Sequence, residues 1–280
     1  MNTLVFDIET VPDVEFGRRL YGLEGLSDDE VGKAMQARAR QASASGSDFL
    51  PHTQQRIVAI SCAFRSREGF RVWSLGDESA SERELVLRFF DGIDKYSPEL
   101  VSWNGGGFDL PVLHYRALRH QVAAPRYWET GDEDTAFRYN NYLGRFHWRH
   151  LDVMDVLSGY QNRARASLSD TAVLLGYPGK LGFDGSQVWD AYLDGELTRI
   201  RRYCETDVLN TWLIYLRFQH MRRVGGAYRS TQGALPAALQ AARNSSKYGS
   251  LASVSHARVR ASSSARPASV SRPRMCWKRR

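Results

Sequence analysis

Acidic side chains recur in three short motifs whose residue types are suited to binding divalent metal ions. The first is FDIET, residues 6–10, which follows a short apolar run. The second is SWNGGGFDLP, residues 102–111, and the third is YCETD, residues 203–207. Four of their carboxylates, those of Asp7, Glu9, Asp109 and Asp207, form a pattern that predicts metal-assisted hydrolysis of a phosphodiester bond.

The first motif places two carboxylates on one face of a predicted strand. Residues 2–8 are rich in apolar and β-forming side chains, so we predict a strand there. Asp7 and Glu9 then point the same way, about 7 Å apart along the strand. Hard oxygen ligands of this kind favour Mg²⁺ or Mn²⁺. The alternative is a chance acidic pair that is fully solvated.

The second motif joins a predicted strand to a predicted helix. Residues 100–103 have strand character, three glycines follow, and a helical pattern begins near Asp109 with Pro111 in its first turn. Asp109 is either a metal ligand or only a helix cap. A dinucleotide-binding loop is disfavoured because the glycine spacing does not match.

The third motif lies in a long helical pattern, roughly residues 197–222. Tyr203 and Asp207 are four residues apart, so they share one helix face. A tyrosine hydroxyl beside a metal-bound carboxylate can orient a water molecule. The alternative is an ordinary, partly exposed Tyr–Asp pair.

These motifs resemble those of the DEDD superfamily of 3′–5′ exonucleases, with the tyrosine type of third motif. More narrowly, the chain is similar to bacterial stand-alone exonucleases related to the proofreading domain of family-B DNA polymerases. The resemblance covers roughly residues 1–222 and extends to residues 167–189 between the second and third motifs. It implies a ribonuclease H-like fold, two divalent metal ions per site, either Mg²⁺ or Mn²⁺, and stepwise removal of nucleotides from a 3′ end.

The resemblance also implies a role for each motif residue. Asp7 would bind both metals, Glu9 and Asp207 would complete one metal site, and Asp109 would hold the second metal. Tyr203 would orient the attacking water. Candidate substrate contacts are Thr10, Trp103, Asn104 and Phe108.

The resemblance makes single-stranded DNA with a free 3′ end the expected substrate, and leaves two alternatives open. One is a 3′–5′ exoribonuclease with the same site, since discrimination depends on how a pocket meets the 2′-hydroxyl. The other is a non-catalytic nucleic-acid-binding module, which the presence of all four carboxylates and the tyrosine argues against. Asp152 could either support the metal ligands from behind or act as a helix cap, and a structural role is favoured.

An α/β fold with a mixed central sheet flanked by helices is predicted from the order of elements. Ser27 and Glu30 form a capping-box pattern that opens a helix, and strands are expected at residues 56–65 and 70–75. A further amphipathic helix is predicted over residues 81–96.

The charge distribution divides the chain into an exonuclease domain, residues 1–225, and a basic tail, residues 226–280, that we predict to be disordered. The tail holds 11 of the 38 basic residues and none of the 31 acidic ones, so residues 1–225 carry a net charge of −4. Such a tail either binds nucleic acid through its positive charge or is an out-of-frame extension of the gene. The second alternative is favoured, because the resemblance to the family ends abruptly where the tail begins.

Composition predicts an intracellular protein of cytoplasmic location. The three cysteines are odd in number and widely separated, with neither a disulfide framework nor zinc-binding spacing. The first residues have no signal-peptide pattern, and no apolar run approaches the length of a membrane span. The sequence does not indicate an oligomeric state.

Overall fold

A five-stranded mixed sheet lies at the centre of the protein in a computed structural model, which describes residues 2–180 and 182–222. The spatial order of the strands is β3-β2-β1-β4-β5. Strand β1 is antiparallel to β2 and parallel to β4, while β2 and β3 are antiparallel and β4 and β5 are parallel. The strands are β1 (Thr3–Pro12), β2 (Gln55–Arg65), β3 (Phe70–Ser74), β4 (Glu99–Ser102) and β5 (His150–Asp152).

Helices follow or precede each strand along the chain. Those before β4 are α1 (Val14–Tyr21), α2 (Asp28–Ala42) and α3 (Glu82–Tyr96). Those after β4 are α4 (Asp109–His120), α5 (Pro125–Trp128), α6 (Val153–Leu157), α7 (Leu168–Leu174), α8 (Val188–Leu193) and α9 (Leu197–Arg222). Short 3₁₀ turns lie at His52–Gln54, Thr135–Phe137, Asn162–Ala164 and Gly185–Gln187.

The two faces of β1 point into different parts of the core, because side chains alternate along a strand. Phe6 and Ile8 pack in the cluster that contains the apolar faces of α3 and α4. Val5 packs in a second cluster with the apolar side chains of α9, among them Trp212 and Leu213. Asp7 and Glu9 follow Val5 at steps of two, so they lie on the face that α9 covers.

The predicted α/β class, with a mixed central sheet flanked by helices, is confirmed. Helix α9 has the predicted bounds, and the Ser27 capping box is formed: Ser27 Oγ accepts from the Glu30 N–H, and the Ser27 N–H donates to Glu30 Oε2 at 2.8 Å. Strand β1 continues to Pro12, four residues beyond its predicted end, because it keeps pairing with β2 past a bulge at Glu9/Thr10.

Helix α1 was not predicted from the sequence. Its eight residues include only two buried ones, Val14 and Gly17, and its N-terminal cap, Asp13, has no capping-box partner. Gly17 lies against Met35 of α2, where a side chain would clash. The helix therefore depends on tertiary packing rather than on a strong local pattern.

The sequence also predicted where the exonuclease domain ends and that no segment crosses a membrane. The predicted domain boundary at 225 and the basic tail at 226–280 lie outside the described residues. Among the helices of residues 2–180 and 182–222, none is both long and apolar enough to cross a membrane.

Candidate active site

Asp7 and Glu9 lie close together on β1, and the buried thiol of Cys204 on α9 meets them. One potential ligand atom from each of the three residues lies within 4.8 Å of the others. Cys204 Sγ donates to the Asp7 carbonyl oxygen at 3.3 Å and lies 3.6 Å from Asp7 Oδ2. Asp7 and Glu9 therefore lie together as predicted. The Cys204 thiol beside them was not part of that prediction.

Asp109 joins the second motif directly to the first. It is the first residue of α4 and is 4% exposed, and its Oδ1 accepts the Ile8 N–H at 3.1 Å. Ile8 lies between Asp7 and Glu9, so this hydrogen bond fixes the second motif beside the first. A helix-cap role alone does not account for a side chain that binds another element's backbone.

Asp207 and Tyr203 lie one turn apart on α9, as predicted from their spacing. The Tyr203 hydroxyl donates a hydrogen bond to Asp207, which lowers the pKa of that carboxyl against the larger effect of burial. The Tyr203 ring packs against Phe183 at 5.1 Å between centroids. One side of the ring is therefore held by packing while its hydroxyl points toward the carboxylates.

The four carboxylates destabilise one another's charged forms. Burial raises the pKa of Asp7 well above its ordinary value, and the nearby charges of Asp109, Glu9 and Asp207 raise it further. Burial and then Asp207 and Asp109 likewise raise the pKa of Glu9. Burial also raises the pKa of Asp109 to about 7 and that of Asp207 to about 6. Such mutual repulsion indicates one shared site with excess negative charge.

Lys180 supplies positive charge to this site. Its ammonium lowers the pKa values of Glu9 and Asp207, opposing the larger effects of burial and, at Glu9, of the neighbouring carboxylates. Lys180 is exposed and belongs to the segment between α7 and α8. One lysine does not balance four carboxylates, so the cluster needs further positive charge for all four to be ionised together.

The donor set fits hard divalent cations. Carboxylate oxygens are the ligands that Mg²⁺ and Mn²⁺ prefer, whereas zinc and copper sites favour thiolates and imidazoles. Burial and then the negative charges of Asp7 and Glu9 raise the pKa of Cys204 well above its ordinary value. The thiol stays protonated and donates to Asp7, so Asp7, Glu9, Asp109 and Asp207 are the groups suited to hold metal.

Asp152 organises the glycine-rich loop that precedes Asp109. Its Oδ1 accepts from the Asn104 N–H and its Oδ2 from the Gly106 N–H, both at 3.0 Å. Asp152 also caps α6 by accepting from the Asp155 N–H at 3.3 Å. The expected cap role is therefore observed, together with a second role in holding the loop.

Close packing under the same loop requires glycine at position 105. A Cβ there would clash with Ser102, whose Oγ lies 2.8 Å from His150 Nε2. Burial lowers the pKa of His150 to about 4, so the ring is neutral near pH 7. The loop thus rests on a neutral hydrogen-bonded pair beneath the site.

The four predicted substrate contacts have different surroundings. Trp103 is half-buried against the core cluster of α9, which favours a packing role. Thr10 Oγ1 donates to Gln55 Oε1 at 2.9 Å, and Asn104 has a left-handed backbone at φ 64°. Phe108 packs partly on the core and also meets the rings of two residues near β2. Their contact with substrate stays a prediction.

Sequence reasoning assigned no role to Cys204 or Lys180. A signal for Cys204 was present, because it precedes Asp207 by three residues and so faces the same way on a helix. For Lys180 no local spacing relates it to Glu9, which is 171 positions earlier in the chain. Only the folded arrangement of the α7–α8 segment brings its charge to the carboxylates.

A family of proteins matches most of this chain. Residues 47–249 match the family described as "Predicted 3'-5' exonuclease related to the exonuclease domain of PolB". Among curated proteins, DNA polymerase 1 of Sulfurisphaera ohwakuensis is 54% identical over 39 residues, which are 14% of this chain and 4% of that protein.

A solved structure is also similar to this chain. The family B DNA polymerase of the hyperthermophilic archaeon Pyrobaculum calidifontis aligns with a TM-score of 0.45 and 17% identity, over 76% of this chain and 24% of the polymerase. The chain thus spans under a quarter of the length of each of these two relatives.

Proposed function

We propose that this chain, which belongs to the family of predicted 3′–5′ exonucleases related to the exonuclease domain of PolB, removes nucleotides one at a time from the 3′ end of single-stranded DNA with two divalent metal ions. The family membership confirms the resemblance stated from the motifs. A nuclease of the hydrolase class that acts on nucleic acid follows from the family; the metal chemistry, the DNA substrate and the residue roles are the proposal.

One observation carries the proposal: residues from three distant motifs form a single cluster of repelling carboxylates, in which Glu9 and Asp109 are buried and Asp7 and Asp207 are half-buried. Asp7, Asp109 and Asp207 each affect the cluster's ionisation although they are about 100 positions apart in sequence. A folded protein tolerates such a cluster when cations neutralise it. Divalent ions held there would neutralise charge on the phosphate and assist in-line displacement at phosphorus.

The chain's own groups would orient the reactants. Tyr203 donates to Asp207 and is held by Phe183, so its hydroxyl is positioned to hold a water molecule near the carboxylates. Asp109, fixed by the Ile8 N–H, holds the glycine-rich loop next to the first motif. Lys180, which is exposed, adds a cation near the cluster that can bind a phosphate oxygen of the substrate.

Trimming of an end-labelled oligonucleotide tests the proposal. Single-stranded DNA and RNA of one sequence, labelled at the 5′ end, are incubated with the protein in Mg²⁺, Mn²⁺ or EDTA. The expected result is a ladder that shortens from the 3′ end of DNA, in either metal and not in EDTA. A ladder on RNA alone would favour the exoribonuclease alternative, and binding without cleavage of either would favour the non-catalytic module.

A matched pair of substitutions separates the site from general acidity. Asp207→Asn removes a carboxylate of the cluster, whereas Asp194→Asn removes an exposed one at the end of α8. Asp207→Asn should abolish the ladder, and Asp194→Asn should trim at the wild-type rate. Equal trimming by both variants would show that the cluster is not the catalytic site.

A further inference from the structure

Strand β3 forms an open edge of the central sheet. It is first in the order β3-β2-β1-β4-β5, and within residues 2–180 and 182–222 its strand partner is β2 alone. Its residues Arg71 and Trp73 are exposed, Trp73 by 37%. An open edge offers unpaired backbone groups to any other strand, so proteins protect such edges or use them for a specific partner.

Alternate residues of β3 turn their backbone groups toward this open side. Leu75, directly after β3, donates its N–H to the Ile60 carbonyl oxygen of β2 at 2.8 Å, and the β2–β3 register continues without a bulge. Hydrogen-bonded and non-hydrogen-bonded pairs alternate in an antiparallel ladder. The N–H and C=O groups of Phe70, Val72 and Ser74 therefore point away from β2.

This phase allows two copies of β3 to pair antiparallel about a two-fold axis at Val72. Val72 of one copy then lies opposite Val72 of the other in a hydrogen-bonded pair, and Phe70 lies opposite Ser74 of the second copy in the same way. The Ser74 carbonyl oxygen also accepts from Arg201 Nη2 at 3.4 Å, which holds this end of the strand and leaves one lone pair for the second copy.

The side chains complement one another in the same register. Arg71 of one copy lies opposite Trp73 of the other in a non-hydrogen-bonded pair, where side chains approach most closely. A guanidinium against an indole ring is a favourable cation–π contact, and the two-fold axis forms it twice. A shift by two residues would instead set Arg71 opposite Arg71, or Trp73 opposite Trp73.

We propose that β3 is the interface of a symmetric homodimer, in which residues Phe70–Ser74 of two copies pair antiparallel and join the two sheets into one. A second copy fits better than an unrelated strand, because the cation and the ring on one strand complement each other across the two-fold axis. The pairing occupies both β3 edges, so association ends at two chains. The interface contains none of the four site carboxylates, so its tests measure association and not trimming.

A charge exchange tests the interface. Sedimentation velocity of the full chain should show a dimer that dissociates on dilution. Trp73→Arg should weaken the dimer by about 10-fold or more, because two cation–π contacts are lost and arginines then face each other. Adding Arg71→Trp exchanges the ring and the cation and should restore the dimer. Circular dichroism should show both variants folded, since both side chains are exposed.

Three results of this experiment would overturn the homodimer. Wild-type protein that stays a monomer at every concentration would mean that Arg71 protects the edge from pairing. A dimer of unchanged affinity with Trp73→Arg would mean that the copies meet through another surface. Assembly beyond two chains would mean that the contact is not the closed pairing of two β3 edges.

Oxidative cross-linking locates the two-fold axis. The Cα atoms of a hydrogen-bonded antiparallel pair lie about 5.5 Å apart, a separation that a disulfide spans. In protein with Cys276→Ser, Val72→Cys should give a disulfide-linked dimer, while Cys62 and Cys204 are buried. Val173→Cys is the matched control, because Val173 is 62% exposed on α7, and it should stay monomeric. Equal cross-linking of the two variants, or none with Val72→Cys, would overturn the pairing at Val72.

Discussion

Among the residues that the structure describes, two of the clusters of charged side chains differ in whether they are neutralised. In the first, Arg116 of α4 donates to Asp13 Oδ2 at 2.6 Å and to Glu82, and all three side chains are almost fully buried. In the second, Asp7, Glu9, Asp109 and Asp207 meet with Lys180 as a nearby cation. The first cluster contains its own buried counter-charge, whereas the cation near the second, Lys180, is exposed and does not balance four carboxylates.

The carboxyl pKa values of Asp13 and Asp7, one from each cluster, are shifted in opposite directions. Burial alone would raise the pKa of Asp13, but hydrogen bonds from Arg116 and the Phe16 N–H lower it below its ordinary value. In the second cluster burial and like charges both raise the pKa of Asp7 and Glu9. A neutralised cluster stabilises the fold, whereas an unneutralised one requires external cations and is therefore a candidate for function.

The largest expected effect comes from Asp7→Asn. Loss of the carboxylate proposed to meet both metals should remove several kcal/mol of transition-state stabilisation, lowering the trimming rate by on the order of 10³-fold or more. The Tm in EDTA should not fall, because the substitution removes a mutually repelling charge. Near-wild-type turnover would contradict the assignment of this site.

Arg116→Met should lower the stability of the fold, whereas Asp7→Asn lowers the trimming rate. Removing the shared guanidinium leaves two buried carboxylates with weaker ionic partners, Arg119 at 3.7 Å from Asp13 and His120 beside Glu82. The loss should be up to about 3–5 kcal/mol of unfolding free energy. Urea denaturation measures this loss. Arg119→Met is the control, because Arg119 is 29% exposed and its pairs with Asp13 and Glu15 should contribute about 1 kcal/mol or less.

A rescue experiment sharpens this prediction. Adding Asp13→Asn and Glu82→Gln to Arg116→Met removes the buried negative charges and should restore part of the lost stability; Asn still caps a helix. A loss of under 1 kcal/mol for Arg116→Met alone would mean that the first cluster does not depend on its counter-charge.

Tyr203→Phe should lower kcat by about 10²-fold with little change in substrate affinity. The hydroxyl is proposed to orient water, and positioned proton-transfer groups contribute about this much at the low end. Steady-state kinetics separates kcat from KM. A phenylalanine at position 203 can still pack against Phe183. An unchanged kcat would therefore show that Tyr203 contributes packing and not catalysis.

The pH dependence of stability in EDTA should also distinguish the clusters. The raised pKa values of about 7 for Asp109 and about 6 for Asp207 mean that the folded protein binds protons more tightly than the unfolded chain, whose aspartates titrate near about 3.9. Their contribution to stability is therefore present below about pH 4 and lost as pH rises to about 7.

Denaturation in EDTA across this range measures that loss as a falling free energy of unfolding. Mg²⁺ should oppose the fall because it binds the folded state. Asp7→Asn should flatten it, since fewer charges repel. Asp13 acts oppositely: its lowered pKa contributes stability above about pH 4 that is lost in acid. An identical pH profile with and without Mg²⁺ would contradict metal binding at the second cluster.

The smallest expected effect concerns the proposed boundary at residue 225. A chain ending there should keep the turnover of the full chain at saturating substrate, because the catalytic motifs end at Asp207. Its affinity at low salt should fall, since each lost phosphate contact contributes about −0.7 to the slope of log affinity against log salt for single strands. Loss of turnover would show that the core requires residues beyond 225.

Local patterns by themselves determined much of the fold and of the candidate site. The bounds of α9, the Ser27 capping box and the shared face of Tyr203 and Asp207 depend on interactions within a few residues, so spacing predicts them. The alternation of β1 likewise predicted that Asp7 and Glu9 share a face, and their ligand atoms are within 4.8 Å.

Tertiary structure decided the contacts between segments distant in sequence. The Ile8–Asp109 hydrogen bond, the Cys204 thiol against Asp7 and the charge of Lys180 near Glu9 each join residues about 100 to 200 positions apart. The contact of the Phe49 ring with Phe108 is of the same kind. Periodicity describes only neighbours along the chain, whereas these contacts depend on how the sheet and helices pack, and that packing is what concentrates the charge into one site.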